Sequence, residues 1–238
     1  MVAKDRIIFA LDVGTVQEAH KWVRLLGERV GWFKVGLELF SSAGPAVVEL
    51  IKANGMKCFL DLKFHDIPNT VYGAVRSAVK MKADMMTIHI SGGAGMIQAA
   101  LKGAREGALS CGISVPKIIG VSMLTSLNQD DLGDIGIQVP VKEHVLNLIT
   151  LARENRIDGI VCSPADLEFV RPNIPDHITV ITPGIRPDWA AKGDQKRIAT
   201  PKAAISSGAD LLVIGRPISQ AENPVEAVER IVREIESL

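Results

Sequence analysis

The segment Met56–Lys63, MKCFLDLK, is a short apolar run that ends in an acid and a base. Seven more short runs rich in apolar and β-branched residues occur along the chain, each bounded by Gly, Pro, Asp or Asn. Such runs are typical of strands that are buried on both faces. The eight predicted strands are Arg6–Asp12, Trp32–Gly36, Met56–Lys63, Met85–Ile90, Lys117–Val121, Gly159–Cys162, Ile178–Ile181 and Leu211–Gly215.

The stretches between these strands have helical periodicity. Val16–Leu26 and Glu143–Glu154 each place apolar residues on one helix face. Thr15 is expected to cap the first of these helices, and Asn69 or Thr70 the helix after the third strand. Strand–helix alternation implies parallel pairing, because a parallel crossover needs a connection of helix length.

Eight such units without a break in composition predict one closed (β/α)8 TIM barrel. The 238 residues are close to the usual size of that fold, about 250 residues, so residues 1–238 are expected to form a single catalytic domain. A doubly wound open sheet is the alternative fold. It is disfavoured because no Gly-x-Gly-x-x-Gly turn follows the first strand.

The composition argues against several classes of protein. The chain has 27 basic and 27 acidic residues and no basic stripe, so neither a nucleic-acid partner nor a membrane partner is expected. No stretch approaches the ~20 apolar residues of a membrane span, and the N-terminus lacks a signal-peptide pattern, so a cytoplasmic location is expected. The cysteines, Cys58, Cys111 and Cys162, are expected to be reduced and buried.

Charged residues follow the apolar part of the first three strands, where a parallel barrel carries its active site. Asp12 ends the first strand and Lys34 lies near the end of the second. Asp61 and Lys63 are two apart in the third strand and therefore share a face, and Asp66 follows in the turn. The sequence thus predicts an alternating array of Lys34, Asp61, Lys63 and Asp66. A stabilising salt-bridge network is the alternative, although clustered charges are more typical of catalytic sites.

The seventh and eighth strands run into a second group of polar residues. TPGIR contains Gly184 and Arg186, and IGRP contains Gly215 and Arg216. The loops after these strands form the usual phosphate site of such barrels, where helix N–H groups and arginine bind anions. The alternative is that Arg216 is a surface arginine beside an N1 proline. The loops 125–140 and 182–200 are longer than connections need to be, and the second is the candidate lid.

The ten residues DLKFHDIPNT, Asp61–Thr70, resemble the signature of the orotidine 5′-phosphate decarboxylase family in its short, bacterial, monofunctional form. The D-x-K element alone is not specific, because related sugar-phosphate barrels share it. The resemblance extends over the whole chain through ALD at Ala10–Asp12, FKVG at Phe33–Gly36, LT at Leu124–Thr125, TPGIR at Thr182–Arg186, Gln195, and GR at Gly215–Arg216.

This resemblance implies decarboxylation of orotidine monophosphate (OMP) to uridine monophosphate (UMP), the last step of de novo pyrimidine synthesis, without a metal or organic cofactor. It also implies the roles of individual residues. Lys63 would protonate the C6 carbanion, and Asp61 would face the substrate carboxylate. Lys34 and Asp12 would contact the ribose hydroxyls. The remaining implied substrate-binding residues are Thr125 near the pyrimidine edge, Pro183, and Arg186, Gln195, Gly215 and Arg216, the last four in the phosphate region.

The resemblance further implies a homodimer with shared active sites. Asp66, Ile67 and Thr70 would reach into the neighbouring subunit's site. The nearest alternative function is a magnesium-dependent relative, such as a keto-gulonate-phosphate decarboxylase or a hexulose-phosphate synthase. The HDIPNT continuation and Gln195 favour the nucleotide enzyme. A non-catalytic nucleotide-binding barrel is the alternative from another class, and the intact set of four charges argues against it.

Overall fold

The eight predicted strands close into a parallel barrel in the computed structural model, which describes residues 1–190 and 198–238. Each strand pairs with the next, and the eighth pairs with the first. The fold prediction is confirmed, and every strand ends within one residue of its predicted bounds. The strands are β1 (Ile7–Leu11), β2 (Trp32–Val35), β3 (Lys57–Phe64), β4 (Met85–His89), β5 (Lys117–Val121), β6 (Gly159–Val161), β7 (Thr179–Thr182) and β8 (Leu211–Ile214).

Helices connect the strands around the outside of the barrel. They are α1 (Val16–Leu26), α2 (Leu37–Ala43), α3 (Ala46–Ala53), α4 (Pro68–Val79), α5 (Gly93–Cys111), α6 (Gln129–Asp134), α7 (Val141–Glu154), α8 (Leu167–Val170), α9 (Pro201–Ser206), α10 (Arg216–Ser219) and α11 (Pro224–Glu236). Short 3-10 turns occur at Ala3–Arg6, Ile90–Gly92, Pro164–Asp166 and Arg171–Asn173. In the described part of the chain, no helix combines the length and apolar character needed to cross a membrane.

The two predicted amphipathic helices are confirmed as α1 and α7, and their apolar faces are buried against the barrel. Thr15 caps α1 as expected, because its side chain accepts a hydrogen bond from the N–H of Glu18. The predicted cap of α4 is wrong. That helix begins at Pro68 with Ile67 at the N-cap and no side-chain cap. Proline suits the first helical position because its missing N–H would have had no partner there.

Alternate residues of the strands point into the barrel, and their character changes along its axis. An apolar cluster fills the interior and consists of Ile8, Phe59, Met85, Ile119, Ile181 and Leu211. Two residues further along their strands, the same inward positions of β3 and β4 hold Asp61 and Thr87. The interior of the barrel is therefore packed with apolar side chains, and polar side chains lie toward the carboxyl ends of the strands.

The three cysteines divide into two environments. Cys58 and Cys162 are buried as expected, whereas Cys111 is exposed at the end of α5, so the expectation was wrong for that residue. Burial raises the pKa of the Cys58 thiol to about 12, with a smaller contribution from Asp84. Burial raises the pKa of Cys162 as well. Both buried thiols are therefore protonated and unreactive near neutral pH.

Candidate active site

The carboxylate of Asp61 lies at the centre of a chain of charged contacts across the ends of β1, β2 and β3. Its Oδ1 accepts a hydrogen bond from Lys63 Nζ at 2.9 Å, and its Oδ2 lies 3.7 Å from Lys34 Nζ. Lys34 Nζ also donates to Asp12 Oδ1 at 3.3 Å. Asp61 is only 8% exposed. A carboxylate this deeply buried is costly unless it is paired, and the two ammonium groups supply that pairing.

Lys63 has an unusual backbone conformation for a residue at the end of a strand. Its φ is 51°, in the left-handed region that residues with a side chain rarely adopt. The pairing of β3 with β4 changes register between Leu60 and Phe64, around this residue. Strained conformations of this kind cost about 1–3 kcal/mol and cluster at functional sites. Lys82 and Arg156 share this conformation away from the cavity, and Lys63 differs from them in lying at the register change and in the cavity lining.

A cavity of about 250 Å³ opens above these charges and collects residues from most of the strands. It contains the predicted residues of β1, β2 and β3, and also the predicted residues that follow β5, β7 and β8. The apolar part of its wall comes from residues that were not predicted. The predicted residues in the lining are Asp12, Lys34, Asp61, Lys63, Thr125, Pro183, Gly184, Arg186, Gly215 and Arg216, and the unpredicted ones are Ala10, Phe59, Val121, Val161 and Val213.

Two arginines line the side of the cavity formed after β7 and β8. Arg186 is 7% exposed, and Arg216 begins α10 directly after Gly215. A Cβ at Gly215 would lie 3.3 Å from Asp12 Oδ2 and 3.4 Å from Ala10 Cβ, so glycine lets β8 end close to β1. Two permanently charged, planar guanidinium groups beside one cavity suit a phosphate or another dianion.

The segment after Lys63 leaves the cavity. Asp66, Ile67 and Thr70 are exposed and do not line it, and Ile67 is 68% exposed. Asp66 Oδ1 accepts a hydrogen bond from the N–H of Ile67 at 2.6 Å. Within one protomer the alternating array therefore contains Asp12, Lys34, Asp61 and Lys63, and Asp66 is not part of it. Gln195, and with it the middle of the predicted lid 182–200, lies outside the described residues.

Two polar residues of β4 were not predicted as part of the site. Thr87 is fully buried and hydrogen bonded to Asp61. Its only signal in the sequence is a single hydroxyl inside the apolar run MMTIHI. His89 packs against His65, with 5.1 Å between the ring centroids. Burial lowers the pKa of His89, and the neighbouring charges of His65 and Lys63 lower it further, although Asp61 opposes them.

In the ranges 1–190 and 198–238, no group of three or more His, Cys, Asp and Glu side chains is arranged to hold a metal ion. The acids at the cavity are paired with ammonium groups. The arrangement consequently offers an ammonium group, a buried carboxylate and an anion-binding end within one small cavity. These are the parts needed to hold a small phosphorylated anion and to deliver a proton to it.

Comparisons with known proteins show the family to which the chain belongs. The model of the orotidine 5′-phosphate decarboxylase / HUMPS family matches residues 5–231. The orotidine 5′-phosphate decarboxylase of Gloeothece citriformis is 48% identical over 232 residues, which cover 97% of each chain. That of Moorella thermoacetica is 46% identical over 99% of this chain and 94% of its own. The crystal structure of the Lactobacillus acidophilus enzyme superimposes with a TM-score of 0.86 at 38% identity, over 96% of this chain and 98% of its own.

Proposed function

The chain belongs to the orotidine 5′-phosphate decarboxylase / HUMPS family, and on that premise we propose that it converts OMP to UMP and CO2 in de novo pyrimidine biosynthesis. Residues 1–238 act as one catalytic domain in the cytoplasm. The observation that carries the proposal is the placement of Lys63 Nζ at the cavity, 2.9 Å from the buried carboxylate of Asp61. The full-length similarity to enzymes named for this reaction supports the choice of substrate.

Lys63 is the group that makes loss of CO2 possible. When the bond between C6 and the carboxylate breaks, the electron pair stays on C6 in the plane of the ring, outside its π-system. A preorganised ammonium group beside C6 stabilises that charge as it develops. The Lys63 ammonium then gives its proton to C6, so UMP forms, and the neutral amine regains a proton from solvent. No metal or organic cofactor takes part in these steps.

Asp61 faces the carboxylate that the substrate loses. Two carboxylates about 4 Å apart repel each other by about 1 kcal/mol in water and by about 4 kcal/mol at an effective dielectric of 20. This repulsion disappears when the substrate carboxylate departs as neutral CO2. Asp61 also holds the Lys63 ammonium through the 2.9 Å contact. Asp12 and Lys34, which contact each other at 3.3 Å, bind the ribose hydroxyls.

The phosphate of OMP binds at the other group of charges. Arg186, Arg216 and the backbone N–H of Gly215 hold the phosphate, and Gln195 adds a further contact. Thr125 and Pro183 line the part of the cavity that receives the pyrimidine. Binding energy from the phosphate, which does not react, can be used to align the ring with Lys63. Both lysines and both arginines therefore act on one ligand from different strands.

The functional unit is a homodimer in which each protomer completes the other's site. Asp66, Ile67 and Thr70 support this proposal because all three are exposed in a single protomer, although they lie only three to seven positions after Lys63. Ile67 is 68% exposed, so its apolar side chain is available to a second protomer. In the dimer these residues reach the substrate bound to the second protomer, and Asp66 adds a carboxylate to the catalytic group there.

The proposal is tested by following the loss of OMP absorbance with purified protein in excess EDTA and, separately, with added Mg²⁺. We expect equal rates in both buffers, with UMP as the product. Activity that is lost in EDTA and restored by Mg²⁺ would favour the metal-dependent relatives instead. Absence of OMP turnover in both buffers would refute the assigned substrate.

A further inference from the structure

Thr87 joins the backbone of Lys63 to the side chain of Asp61. Its side chain points into the barrel from β4 and is fully buried. The hydroxyl Oγ1 accepts a hydrogen bond from the N–H of Lys63 at 2.8 Å. The same hydroxyl donates to Asp61 Oδ1 at 3.0 Å, beside the contact that Oδ1 makes with Lys63 Nζ. One side chain thus contacts both residues to which the chemistry is assigned.

The direction of these hydrogen bonds is fixed by the groups involved. A backbone N–H can only donate, so the Thr87 oxygen must accept from Lys63, and its single proton is left for Asp61. Hydrogen bonds in series polarise one another, and one that ends on a carboxylate is stronger than one between neutral groups. The two hydrogen bonds, from the Lys63 N–H to the hydroxyl and from the hydroxyl to Asp61, therefore strengthen each other and are not independent contacts.

The interrupted pairing of β3 with β4 explains why Lys63 needs this partner. The register changes between Leu60 and Phe64, and Lys63 adopts a φ of 51° within that stretch. In a regular ladder its N–H would bond to a backbone carbonyl of β4. Here the Thr87 side chain takes the place of that carbonyl. Thr87 consequently supports the strained backbone of Lys63 and the carboxylate of Asp61 at the same time.

We propose that Thr87 is a positioning residue for the decarboxylation: it fixes the Asp61 carboxylate and the Lys63 ammonium relative to each other, so that the ammonium lies beside the carbon that loses CO2. This inference rests on the function proposed above. Thr87 does not line the cavity, and its hydroxyl is bonded to Lys63 and Asp61, so it acts on the substrate through these two partners. Its removal should therefore affect the chemical step more than nucleotide binding.

The test compares Thr87→Val, which keeps the shape and removes the hydroxyl, with Thr87→Ser, which keeps the hydroxyl. For Thr87→Val we expect kcat for OMP to fall roughly 10- to 100-fold, equivalent to about 1.4–2.7 kcal/mol, with KM within about threefold. The affinity for UMP should be unchanged. Thr87→Ser should recover kcat to within about fivefold of the wild type.

Thr179→Val is the matched control. Thr179 is the first residue of β7, at the end of the barrel away from the cavity, and its hydroxyl accepts a hydrogen bond from Lys117 Nζ at 3.2 Å. Its kinetics should equal those of the wild type. If Thr87→Val does not fold, Thr87→Cys replaces it, since a thiol is a poor substitute for the hydroxyl.

The outcomes separate this inference from the proposed function. A wild-type protein that does not decarboxylate OMP would refute the function. If the wild type is active and the variant without the hydroxyl keeps kcat within about twofold of it, the role of Thr87 is refuted and the proposed function stands. A parallel loss of kcat and UMP affinity, or a Thr87→Ser variant as impaired as Thr87→Val, would refute that role as well, because either result would indicate a merely structural role.

Discussion

Asp61 is held in a nearly buried position by donors from three strands. Lys34 comes from β2, Lys63 from β3 itself and the Thr87 hydroxyl from β4. Removing one of these partners leaves a buried carboxylate with fewer donors, which costs more than the net gain from forming the same contact. The individual contacts at this site are therefore interdependent, and substitutions of neighbouring residues should not have additive effects.

His89 gives the folded protein a dependence on pH at the edge of this site. Burial, His65 and Lys63 lower its folded pKa below the value of about 6.5 expected in the unfolded chain. As the pH falls, the unfolded state therefore binds a proton before the folded state does. The stability contributed by neutral His89 is present above about pH 6.5 and is lost as the pH falls below that value.

We expect His89→Gln to lose less stability than the wild type between about pH 7.5 and about pH 5.5, because the glutamine side chain does not titrate in this range. Urea unfolding at several pH values measures this difference. His177 is exposed, and His177→Gln is the control that should retain the wild-type dependence. If the unfolding free energy of His89→Gln depends on pH as strongly as that of the wild type, His89 is not the source of the dependence.

A residue of the site could be predicted from the sequence only when its neighbours in the chain already indicate its role. Asp61 and Lys63 could be predicted because two charges at alternate positions of an apolar strand must share a face. Thr87 could not, because threonine is common in strands and its role depends on a register change between two strands. The position of Asp66 outside the cavity depends on the course of the chain between the end of β3 at Phe64 and the start of α4 at Pro68.

At the level of elements, the close contact between α4 and α5 depends on glycine. A Cβ at Gly103 would lie 2.6 Å from the carbonyl oxygen of Tyr72, and one at Gly107 would lie 3.0 Å from Val79 Cβ. Of the residues proposed to reach the second protomer, Asp66 and Ile67 directly precede α4 and Thr70 lies in its first turn. The packing of α5 on α4 therefore also supports the position of these residues.

Gly103→Ala is expected to destabilise the protein by roughly 1–3 kcal/mol, because the backbone of α4 must shift to admit the methyl group. This loss should outweigh the gain of about 1 kcal/mol that alanine offers a helix interior. Gly95→Ala in the same helix is the control. Its Cβ would meet Pro68 Cγ at an ordinary 3.6 Å, so its stability should be unchanged or slightly higher. Equal stabilities of the two variants by urea unfolding would refute the packing argument.

The elements themselves were predicted well where the local signal is strong. Short apolar strands bounded by turn residues have sharp ends, and each observed strand agrees with its prediction to within one residue. The start of α4 was wrong because Asn69 and Thr70 are good cap residues, whereas Pro68 fixes the first helical position two residues before Thr70. Tertiary closure of the barrel followed from the count of strand–helix units.

At the level of the whole molecule, the chemistry is proposed to divide between two protomers. Asp12, Lys34, Asp61 and Lys63 act within their own barrel, and Asp66 acts in the second one. The residues that act in the two different sites are close in the chain, since Asp66 follows Lys63 by three positions. Disrupting the dimer should therefore cost activity even if each barrel stays folded.

This arrangement predicts that two inactive variants restore activity when mixed. In a hybrid of Lys63→Ala and Asp66→Asn protomers, one site has lost both groups and the other retains both. After subunit exchange we expect activity to approach roughly one quarter of the wild-type value, because about half of the dimers are hybrids and each has one intact site. Mixing Lys63→Ala with Asp61→Asn is the control and should give no recovery. Failure of the first mixture despite proven exchange would contradict shared sites.

The central claim is that Lys63 supplies the proton and the stabilising charge for decarboxylation of OMP. The most direct measurement is OMP turnover by Lys63→Ala beside the wild type, in the same EDTA-containing buffer, with UMP affinity measured on both proteins. We predict a fall in turnover of at least roughly a thousandfold, with UMP affinity retained to within about threefold. Turnover within about tenfold of the wild type would contradict the claim.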